Sequence, residues 1–233
     1  MAETPIPNNR LLAALPKNQF QKLFPRMERV DLVYDKNIYQ PGEPIRHVYF
    51  PEKGIISLLA TVGDDYNLEV GIVGNEGMAG LPVFMGVQIS SNCAVVQGSG
   101  FAYRMATEDF LEVSSNGSEL PRLILRYMHS LFTQVAQSAA CNRYHPIDER
   151  LARWLMMTHD RMHAEDFAIT QEFLSNMLGV RREAVNKAAK ILQERGLIKY
   201  SRGHVTVIDG PGLEKAACRC YGVIKKEYDS LSV

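Results

Sequence analysis

Residues 169–200 decide the architecture of the second half of the chain, and they read ITQEFLSNMLGVRREAVNKAAKILQERGLIKY. Thr170 is a favourable N-cap for a helix that runs to Leu178, and Gly179 suits the left-handed backbone conformation that ends many helices. A second helix is expected from about Arg181 onward. Two helices joined by a short turn that contains glycine predict a helix-turn-helix.

The second helix of this pair has one apolar face, and a β-hairpin is predicted directly after it. Residues 197–200 (LIKY) and 204–208 (HVTVI) are typical of short strands, and Ser201-Arg202-Gly203 supplies the turn. A helix-turn-helix followed by such a hairpin is a winged helix. Arg202, at the tip, is expected near the backbone of a bound duplex. The residues expected to face inward on the second helix are Val185, Ala188, Ala189, Ile191 and Leu192.

Positive charge is concentrated on the second helix and the hairpin. The whole chain has 26 basic and 26 acidic side chains and a net charge of zero. Residues 181–202 nevertheless contain seven Lys or Arg and two Glu, a local excess of +5. A solvated basic helix face is the alternative interpretation, but such a patch on a helix-turn-helix favours DNA, because phosphates must be neutralised on binding.

The region from Val30 to about Ala106 has the sequence pattern of β-strands rather than of helices. Short β-rich runs alternate with Gly, Pro, Asn and Asp, as in HVYFP, GIISLLATV, LEVGIVG, NCAVVQG and FAYRM. Such runs at near-even spacing predict an antiparallel sandwich or barrel. Gly63-Asp64-Asp65 is expected to form a hairpin turn. Residues 9–24, ahead of this region, predict two short helical segments broken at Pro16.

A long helix is predicted to begin at about Ser118. About 25 helical residues are about 40 Å long, which is more than one small sheet can cover. The near-heptad spacing favours a second copy of the same helix as the partner, whereas a long buried core helix is the alternative. Asn142–Pro146 interrupts the pattern and is expected to be a hinge. The main apolar face is Leu120, Leu123, Ile124, Tyr127, Leu131, Val135 and Ser138, and the second flank is Met128, Phe132 and Ala136.

These patterns divide the 233 residues into a β-rich domain (1–117), a long helix with a hinge (118–145) and a winged helix-turn-helix domain (146–233). Hydrophobic residues make up 46% and charged residues 22%, which excludes disordered and collagen-like chains. The N-terminus lacks the pattern of a secretory signal, and no apolar run approaches the roughly 18 residues of a spanning helix.

The four cysteines, Cys93, Cys141, Cys218 and Cys220, are scattered in a way that matches neither a disulfide framework nor a four-thiolate metal site. Cys218-x-Cys220 has two soft ligands without partners nearby in sequence, which is weak evidence for a metal site or for oxidation. The simplest expectation is a reduced, cytoplasmic protein without a metal ion.

The order of these parts resembles the cyclic-AMP receptor protein family, also called the Crp/Fnr transcription regulators. The resemblance covers nearly the whole chain and is strongest at residues 169–198. The run CNRYHPIDERLARWLMMTHDRM, residues 141–162, is similar to a hinge-plus-helix segment in a subgroup of these regulators. The resemblance implies an α+β fold: an N-terminal β-roll (a double-stranded β-helix, cyclic-nucleotide-binding-like) as sensor, a long dimerisation helix and a C-terminal winged helix-turn-helix. It also implies a homodimer on an inverted-repeat operator, with RNA polymerase as a partner.

The family's recognition motif places an Arg/Glu pair at the start of the second helix, and here these residues are Arg182 and Glu183. Arg182 can donate twice to guanine O6 and N7, and Glu183 can accept from cytosine N4. Asn186 stands at a position that often contacts DNA. Lys187 replaces the family's usual arginine and lacks the planar fork, so a phosphate contact is as plausible as a base contact. Expected phosphate contacts come from Thr170, Gln171 and Arg181.

The sensor departs from the family's cyclic-nucleotide cassette. In GNEGMAGLPVFMGVQISSNCAVVQ, residues 74–97, Gly80 stands where the ribose-binding glutamate belongs and Asn92 where the phosphate-binding arginine belongs. Cys93 replaces the following Ser or Thr. Without the arginine a buried phosphate loses its bidentate partner, so cAMP and cGMP are not expected to bind. The candidate effector pocket is therefore the region around Glu76, Gly80, Asn92 and Cys93, and its effector is unidentified.

Three alternative functions are considered: a cyclic-nucleotide-responsive sensor, a haem-responsive sensor and a cupin-like metal enzyme. A cyclic-nucleotide-responsive or haem-responsive sensor of the same fold is possible, with His47, Cys93 or a Met as haem ligand. The iron–sulfur clusters of the oxygen-sensing branch need N-terminal cysteines, and none precedes Cys93. A cupin-like metal enzyme needs clustered His and carboxylate ligands, and residues 30–106 contain only His47. No nucleophile motif is present, so the chain is not expected to be an enzyme, and no cofactor is predicted.

Overall fold

The computed structural model describes residues 5–62, 66–115 and 117–232, so the predicted turn Gly63-Asp64-Asp65 lies outside the described residues. The chain forms two compact units. The first comprises the described parts of Met1–Leu58, Ile72–Phe132 and Glu227–Val233, and the second those of Leu59–Gly71 and Thr133–Lys226. In the described residues no helix is both long enough and apolar enough to cross a membrane.

The first unit is built on an antiparallel sheet with small helices. The strands of this sheet are β1 (Met27–Leu32), β2 (Asn37–Tyr39), β3 (His47–Val62), β4 (Tyr66–Val73) and β5 (Cys93–Ala106). The end of β3 after Leu58 and the start of β4 before Ile72 belong to the second unit. The order is β1-β5-β3-β4, and β2 also pairs with β5. The 14-residue β5 meets β1 along its second half, with Leu32 opposite Gly100, and β2 near its start, with Tyr39 opposite Ala94.

Helices at the edges of this sheet complete the unit. They are α1 (Arg10–Ala13), α2 (Lys17–Leu23), α3 (Leu81–Phe84), α4 (Thr107–Ser115) and the start of α5 (Leu120–Tyr144), with 3₁₀ turns at Phe24–Arg26 and Ser230–Ser232. The buried Asn9 side chain caps α1, because its Oδ1 accepts from the Leu12 N–H at 3.2 Å. The core includes Val48, Phe50, Ile55, Ile56, Ile72 and Phe110, all fully buried.

The long helix α5 is covered on one face by its own chain. Leu120, Ile124 and Tyr127 are completely buried. The Tyr127 hydroxyl donates to the Met78 carbonyl at 3.1 Å, and the Tyr127 ring lies so close to Gly77 that it leaves no room for a Cβ there. The main predicted apolar face therefore belongs to the core over this first half of the helix.

The other flank of α5 is open to solvent. Phe132 is 73% exposed and Leu125 is 57% exposed. The two residues are seven positions apart, so they lie on the same side of the helix. Phe132 belongs to the predicted second flank, whereas Leu125 was absent from both predicted faces.

The second unit contains the remaining helices and a small sheet. Its elements are the end of α5, α6 (Ile147–Met162), β6 (Asp166–Ala168), α7 (Gln171–Leu178), α8 (Arg182–Glu194), β7 (Ile198–Ser201), β8 (His204–Val207), α9 (Gly210–Ala216) and most of α10 (Cys220–Asp229). The sheet order is β6-β8-β7 and both pairings are antiparallel. Strand β6 is not predicted from the sequence, because three residues are too few to show strand periodicity.

The predicted boundaries at 117 and 145 follow the secondary structure, since α5 begins at Leu120 and Pro146 is the N-cap of α6. The boundary between the two compact units differs from both predicted boundaries. It falls inside α5, between Phe132 and Thr133, so the expected hinge at 142–146 lies within the second unit.

Candidate nucleic-acid interface

The two helices α7 and α8 form the predicted helix-turn-helix, and local interactions define both ends of α7. The Thr170 hydroxyl accepts from the Phe173 N–H at 3.1 Å, which is an N-cap bond. Gly179 adopts φ 61°, ψ 42°, the left-handed conformation predicted for it. Arg181, in extended conformation, is the N-cap of α8, so only Gly179, Val180 and Arg181 separate the helices.

Small and branched apolar side chains hold α8 against the rest of the second unit. Val185 and Leu192 are completely buried, and Ala188 and Ala189 are each 3% exposed. Because successive residues of an α-helix are rotated by about 100° around its axis, these four side chains lie within a sector about 100° wide on one side of α8. Ile191, also predicted to face inward, is only half-buried. One face of α8 is thereby fixed, and the opposite face is presented to solvent.

The exposed face of α8 carries the predicted base-contacting residues together. Arg182, Glu183, Asn186 and Lys187 are all exposed and lie within about 140° of one another around the helix. Lys190 shares this face and forms an ion pair with Glu194, Nζ to Oε1 3.6 Å. The structure therefore brings the whole predicted set onto one surface.

The side chain of Arg182 has a positioning contact within the site. Its Nε donates to Oε1 of Gln171, the first residue of α7, at 3.3 Å. Arg181, Glu183, Asn186 and Lys187 have no side-chain hydrogen bond or ion pair with any other described residue. Their polar atoms are available to a ligand without breaking an intramolecular contact.

The hairpin of β7 and β8 forms a tight two-residue wing. Arg202 (φ 51°) and Gly203 (φ 77°) both have positive φ, as a type I′ turn requires. The Gly203 carbonyl accepts from the Ile169 N–H at 2.6 Å, and the Tyr200 hydroxyl donates to the Ile169 carbonyl at 3.0 Å. These bonds place the tip and the exposed Arg202 beside Thr170, at the start of α7.

A contact that the sequence does not signal joins Leu59–Gly71 to this helical group. The Trp154 indole, 2% exposed, donates to Glu69 Oε1 at 2.8 Å. Leu68 lies against the turn, so a Cβ at Gly179 would be 2.7 Å from its Cδ1. Both partners come from a strand more than 80 positions away in sequence, which is why local patterns do not reveal the contact.

The residues of the candidate effector pocket lie in different surroundings. Glu76 is 3% exposed and accepts from the Gly74 N–H at 3.1 Å. Gly80, with φ 93°, precedes α3 and lies against Val48. Asn92 is exposed, whereas Cys93 is buried, its Sγ 3.6 Å from Asn37 Oδ1, and burial raises its pKa.

Tyr39 is the residue of this region that sequence analysis misses. Its phenol is buried beside Cys93 and the backbone of Gly80, and this burial raises the pKa of Tyr39 to about 12. Tyr39 and His47 also line a cavity of about 300 Å³ together with Glu43 and Arg46. The pKa of His47 is lowered, mainly by burial and secondly by the positive charge of Arg104. The cavity has several polar and charged lining residues, but none of the four candidate pocket residues is among them.

Three of the four cysteines, which are scattered along the sequence, lie close together in the structure. The spacing predicts no metal site, whereas the fold brings Cys141, Cys218 and Cys220 together with His145, their ligand atoms all within 4.8 Å of one another. A hydrogen bond from the Cys218 thiol lowers the pKa of Cys141, and the same bond raises the pKa of Cys218. Only Cys93 stands apart.

Comparisons with known proteins agree with this architecture. Residues 149–216 match the model of the Crp-like helix-turn-helix domain. The transcriptional regulatory protein btr of Bordetella pertussis is 26% identical over 217 residues, which is 86% of each chain.

Two solved structures show the same fold. The c-di-GMP responsive global regulator CLP of Xanthomonas campestris has a TM-score of 0.67 and 17% identity, and the alignment covers 82% of this chain and 99% of that one. A transcriptional regulator of the Crp/Fnr family from Eubacterium rectale has a TM-score of 0.68 and 17% identity, with 88% and 96% covered.

The matching domain contains α7, the Gly179 turn, α8 and the wing, and the curated relative and the shared fold extend over most of the chain. Regulators of this family are dimeric and bind DNA, which agrees with the exposed basic face of α8 and the open flank of α5. Residues 149–216 therefore form a Crp-like helix-turn-helix domain, and over most of its length the chain is similar to transcription regulators of the Crp/Fnr family.

Proposed function

We propose that the chain is a homodimer that binds an inverted-repeat operator, with α8 of each protomer in a major groove and α5 against its partner. The observation that carries this proposal is the exposed face of α8. Its polar side chains without partners among the described residues lie beside Arg182, which Gln171 positions. Two copies related by a two-fold axis would place their α8 helices about 34 Å apart, one turn of the duplex.

Base recognition is assigned to the first two turns of α8. Arg182 presents a planar guanidinium that matches guanine O6 and N7, and Glu183 can accept from cytosine N4. The Gln171 bond holds the Arg182 Nε and leaves both terminal nitrogens for the base. Asn186 and Lys187, one turn further along, face the same groove.

Phosphate contacts are assigned to the rim of this surface. Arg181 precedes α8, and Arg202 stands at the wing tip beside Thr170. The Thr170 hydroxyl oxygen accepts the N-cap bond, so its hydrogen can be donated to a phosphate oxygen. Together with Gln171 these residues would fix the register of the protein on DNA without reading sequence.

Dimerisation is assigned to the open flank of α5. Phe132 and Leu125 expose large apolar side chains seven residues apart, and burying them against a second α5 removes that surface from water. The exposed Met85 and Val87 belong to other segments and are not needed for this contact.

The sensor is assigned to the β-rich unit, with an effector that is neither cAMP nor cGMP. Asn92 has no cationic group to pair with a phosphate, and Gly80 has no carboxylate for a ribose. We place the effector near Glu76, Gly80 and Cys93. Tyr39, which is buried beside Cys93 and the backbone of Gly80, connects this region to the neighbouring cavity of about 300 Å³ that it lines with His47. The chain would act in the cytoplasm together with RNA polymerase, and not as an enzyme.

Selection of binding sites from random duplexes tests the proposal. The purified chain should enrich an inverted repeat whose half-sites are one helical turn apart. Arg182→Ala should lose the preference at one base pair of each half-site. The matched control is Lys36→Ala, which removes one exposed positive charge from the β-rich unit and should enrich the same repeat as the wild-type chain. Failure of the wild-type chain to enrich any duplex at low salt would refute the proposal.

A further inference from the structure

Four soft ligands converge at one place in the second unit. The Cys141 and Cys218 sulfurs are 3.3 Å apart, and the Cys220 sulfur is 3.6 Å from Nδ1 of His145. All four ligand atoms lie within 4.8 Å of one another. The three cysteines are buried, at 0%, 4% and 3% exposure, and His145 is half-buried.

The backbone holds these ligands in two pairs. Cys141 is in the last turn of α5, and the His145 N–H donates to its carbonyl at 3.1 Å, so the two side chains share one side of the helix end. Cys218 and Cys220 flank the start of α10, where the Tyr221 N–H donates to the Cys218 carbonyl at 3.0 Å. Cys141 and Cys218 are 77 positions apart in sequence, so tertiary folding alone brings the pairs together.

The distances fit a tetrahedral metal ion. With Zn–S bonds of about 2.3 Å and Zn–N bonds of about 2.0–2.1 Å, two sulfurs of a tetrahedron lie about 3.8 Å apart and a sulfur and a nitrogen about 3.6 Å apart. The observed Cys220–His145 distance of 3.6 Å equals that edge, and the Cys141–Cys218 distance of 3.3 Å is slightly shorter. The other four distances are no longer than 4.8 Å, so rotations of the side chains that bring each edge to about 3.6–3.8 Å would complete the tetrahedron.

The surrounding charge also suits a bound anionic centre. Arg150 and Arg153 are 6% and 5% exposed, and both interact electrostatically with Cys141. Neither forms an ion pair with a carboxylate of the described residues. Their Nε atoms have no hydrogen-bond partner among those residues. Three thiolates, a neutral imidazole and a divalent cation carry one net negative charge, which these buried guanidinium groups would offset.

We propose that Cys141, His145, Cys218 and Cys220 form a binding site for a thiophilic divalent cation, with Zn²⁺ as the ion that fits. Binding uses the lone pair of His145 Nδ1 and three thiolates, and the three thiol protons pass to solvent. The ion would tie the end of α5 to the start of α10. A Cys141–Cys218 disulfide is the competing arrangement, but it would give no role to His145 or Cys220.

The test uses the full chain, purified under reducing conditions from cells supplied with zinc. Elemental analysis should find about one zinc per chain. Replacing zinc by Co²⁺ should give the strong visible bands of a tetrahedral thiolate complex. Cys218→Ser should lower the affinity for Co²⁺ at least tenfold, whereas Cys93→Ser, which removes the distant thiol, should leave affinity and spectrum unchanged.

The readouts on the wild-type chain decide the matter even if Cys218→Ser does not fold. A weak octahedral Co²⁺ spectrum, or a chain that takes up no metal, would overturn the proposal. The same holds for a Cys141–Cys218 disulfide found by mass spectrometry in reduced preparations. Equal loss of metal affinity in Cys93→Ser and Cys218→Ser would also overturn it, because the site would then include a residue outside the cluster.

Discussion

Arg182→Ala is expected to lower the affinity for the operator and to abolish discrimination at one base pair in each half-site. Arg182 is exposed on α8, and its only described side-chain bond is the one of 3.3 Å to Gln171. Truncation at such a position should change the free energy of unfolding by no more than about 0.5 kcal/mol. The effect should therefore appear in DNA binding alone.

The magnitude follows from the contact that is lost. A bidentate arginine–guanine pair contributes about 1–3 kcal/mol of discrimination, which corresponds to about 5- to 150-fold in affinity. A symmetric dimer loses this contact in both half-sites, so the loss on the full operator should be about 2–6 kcal/mol. Gln171→Ala should cost less than Arg182→Ala, because it removes a solvent-exposed hydrogen bond that orients Arg182 and a phosphate contact, neither of which reads a base.

The assay is a double-mutant cycle measured by fluorescence anisotropy on selected duplexes. Wild-type chain and Arg182→Ala are each titrated with the operator and with a duplex in which the candidate guanine is replaced. The wild-type chain should prefer the operator, and the variant should bind both duplexes alike. Equal preference in the two proteins for every guanine tested would refute the assignment of Arg182 to base recognition.

Three further predictions follow from the same structure. Arg202→Ala should weaken binding to all sequences alike and reduce the salt slope by about one, since a single phosphate contact is lost; titrations over a salt series measure this, and a change in sequence preference would contradict it. Leu125→Glu with Phe132→Glu should convert the dimer to a monomer in analytical ultracentrifugation, because charges replace the open apolar flank; an unchanged dimer would place the interface elsewhere. Gly179→Ala should lower the free energy of unfolding in urea by about 1–2 kcal/mol, since φ 61° is unfavourable for alanine and Leu68 blocks the Cβ; wild-type stability would show that the turn rearranges freely.

The helix-turn-helix is the part of the molecule that could be predicted most fully from sequence. The Thr170 cap, the left-handed Gly179 and the inward Val185 and Leu192 are all observed as expected. These features depend on residues within a few positions of one another, so local backbone preference and helical periodicity contain the necessary information. The exposed face of α8 follows directly, because it is the complement of the buried one.

The effector region was less predictable. Alignment with a known cassette identified Gly80 and Asn92 as replacements, but it gave no reason to single out Tyr39. Burial of the Tyr39 phenol next to Gly80 depends on β2 pairing with β5, and that pairing is not visible in the run of residues around either strand.

Local sequence was enough to predict the winged helix-turn-helix, the β-rich domain and the basic face of α8, since each rests on short-range periodicity, turn chemistry or local charge. The packing of distant segments sets which flank of α5 is exposed, and it also brings Cys141 and His145 to Cys218 and Cys220. The physical reason is distance along the chain. Contacts between segments 77 residues apart depend on how every intervening element packs, and no local pattern records that outcome.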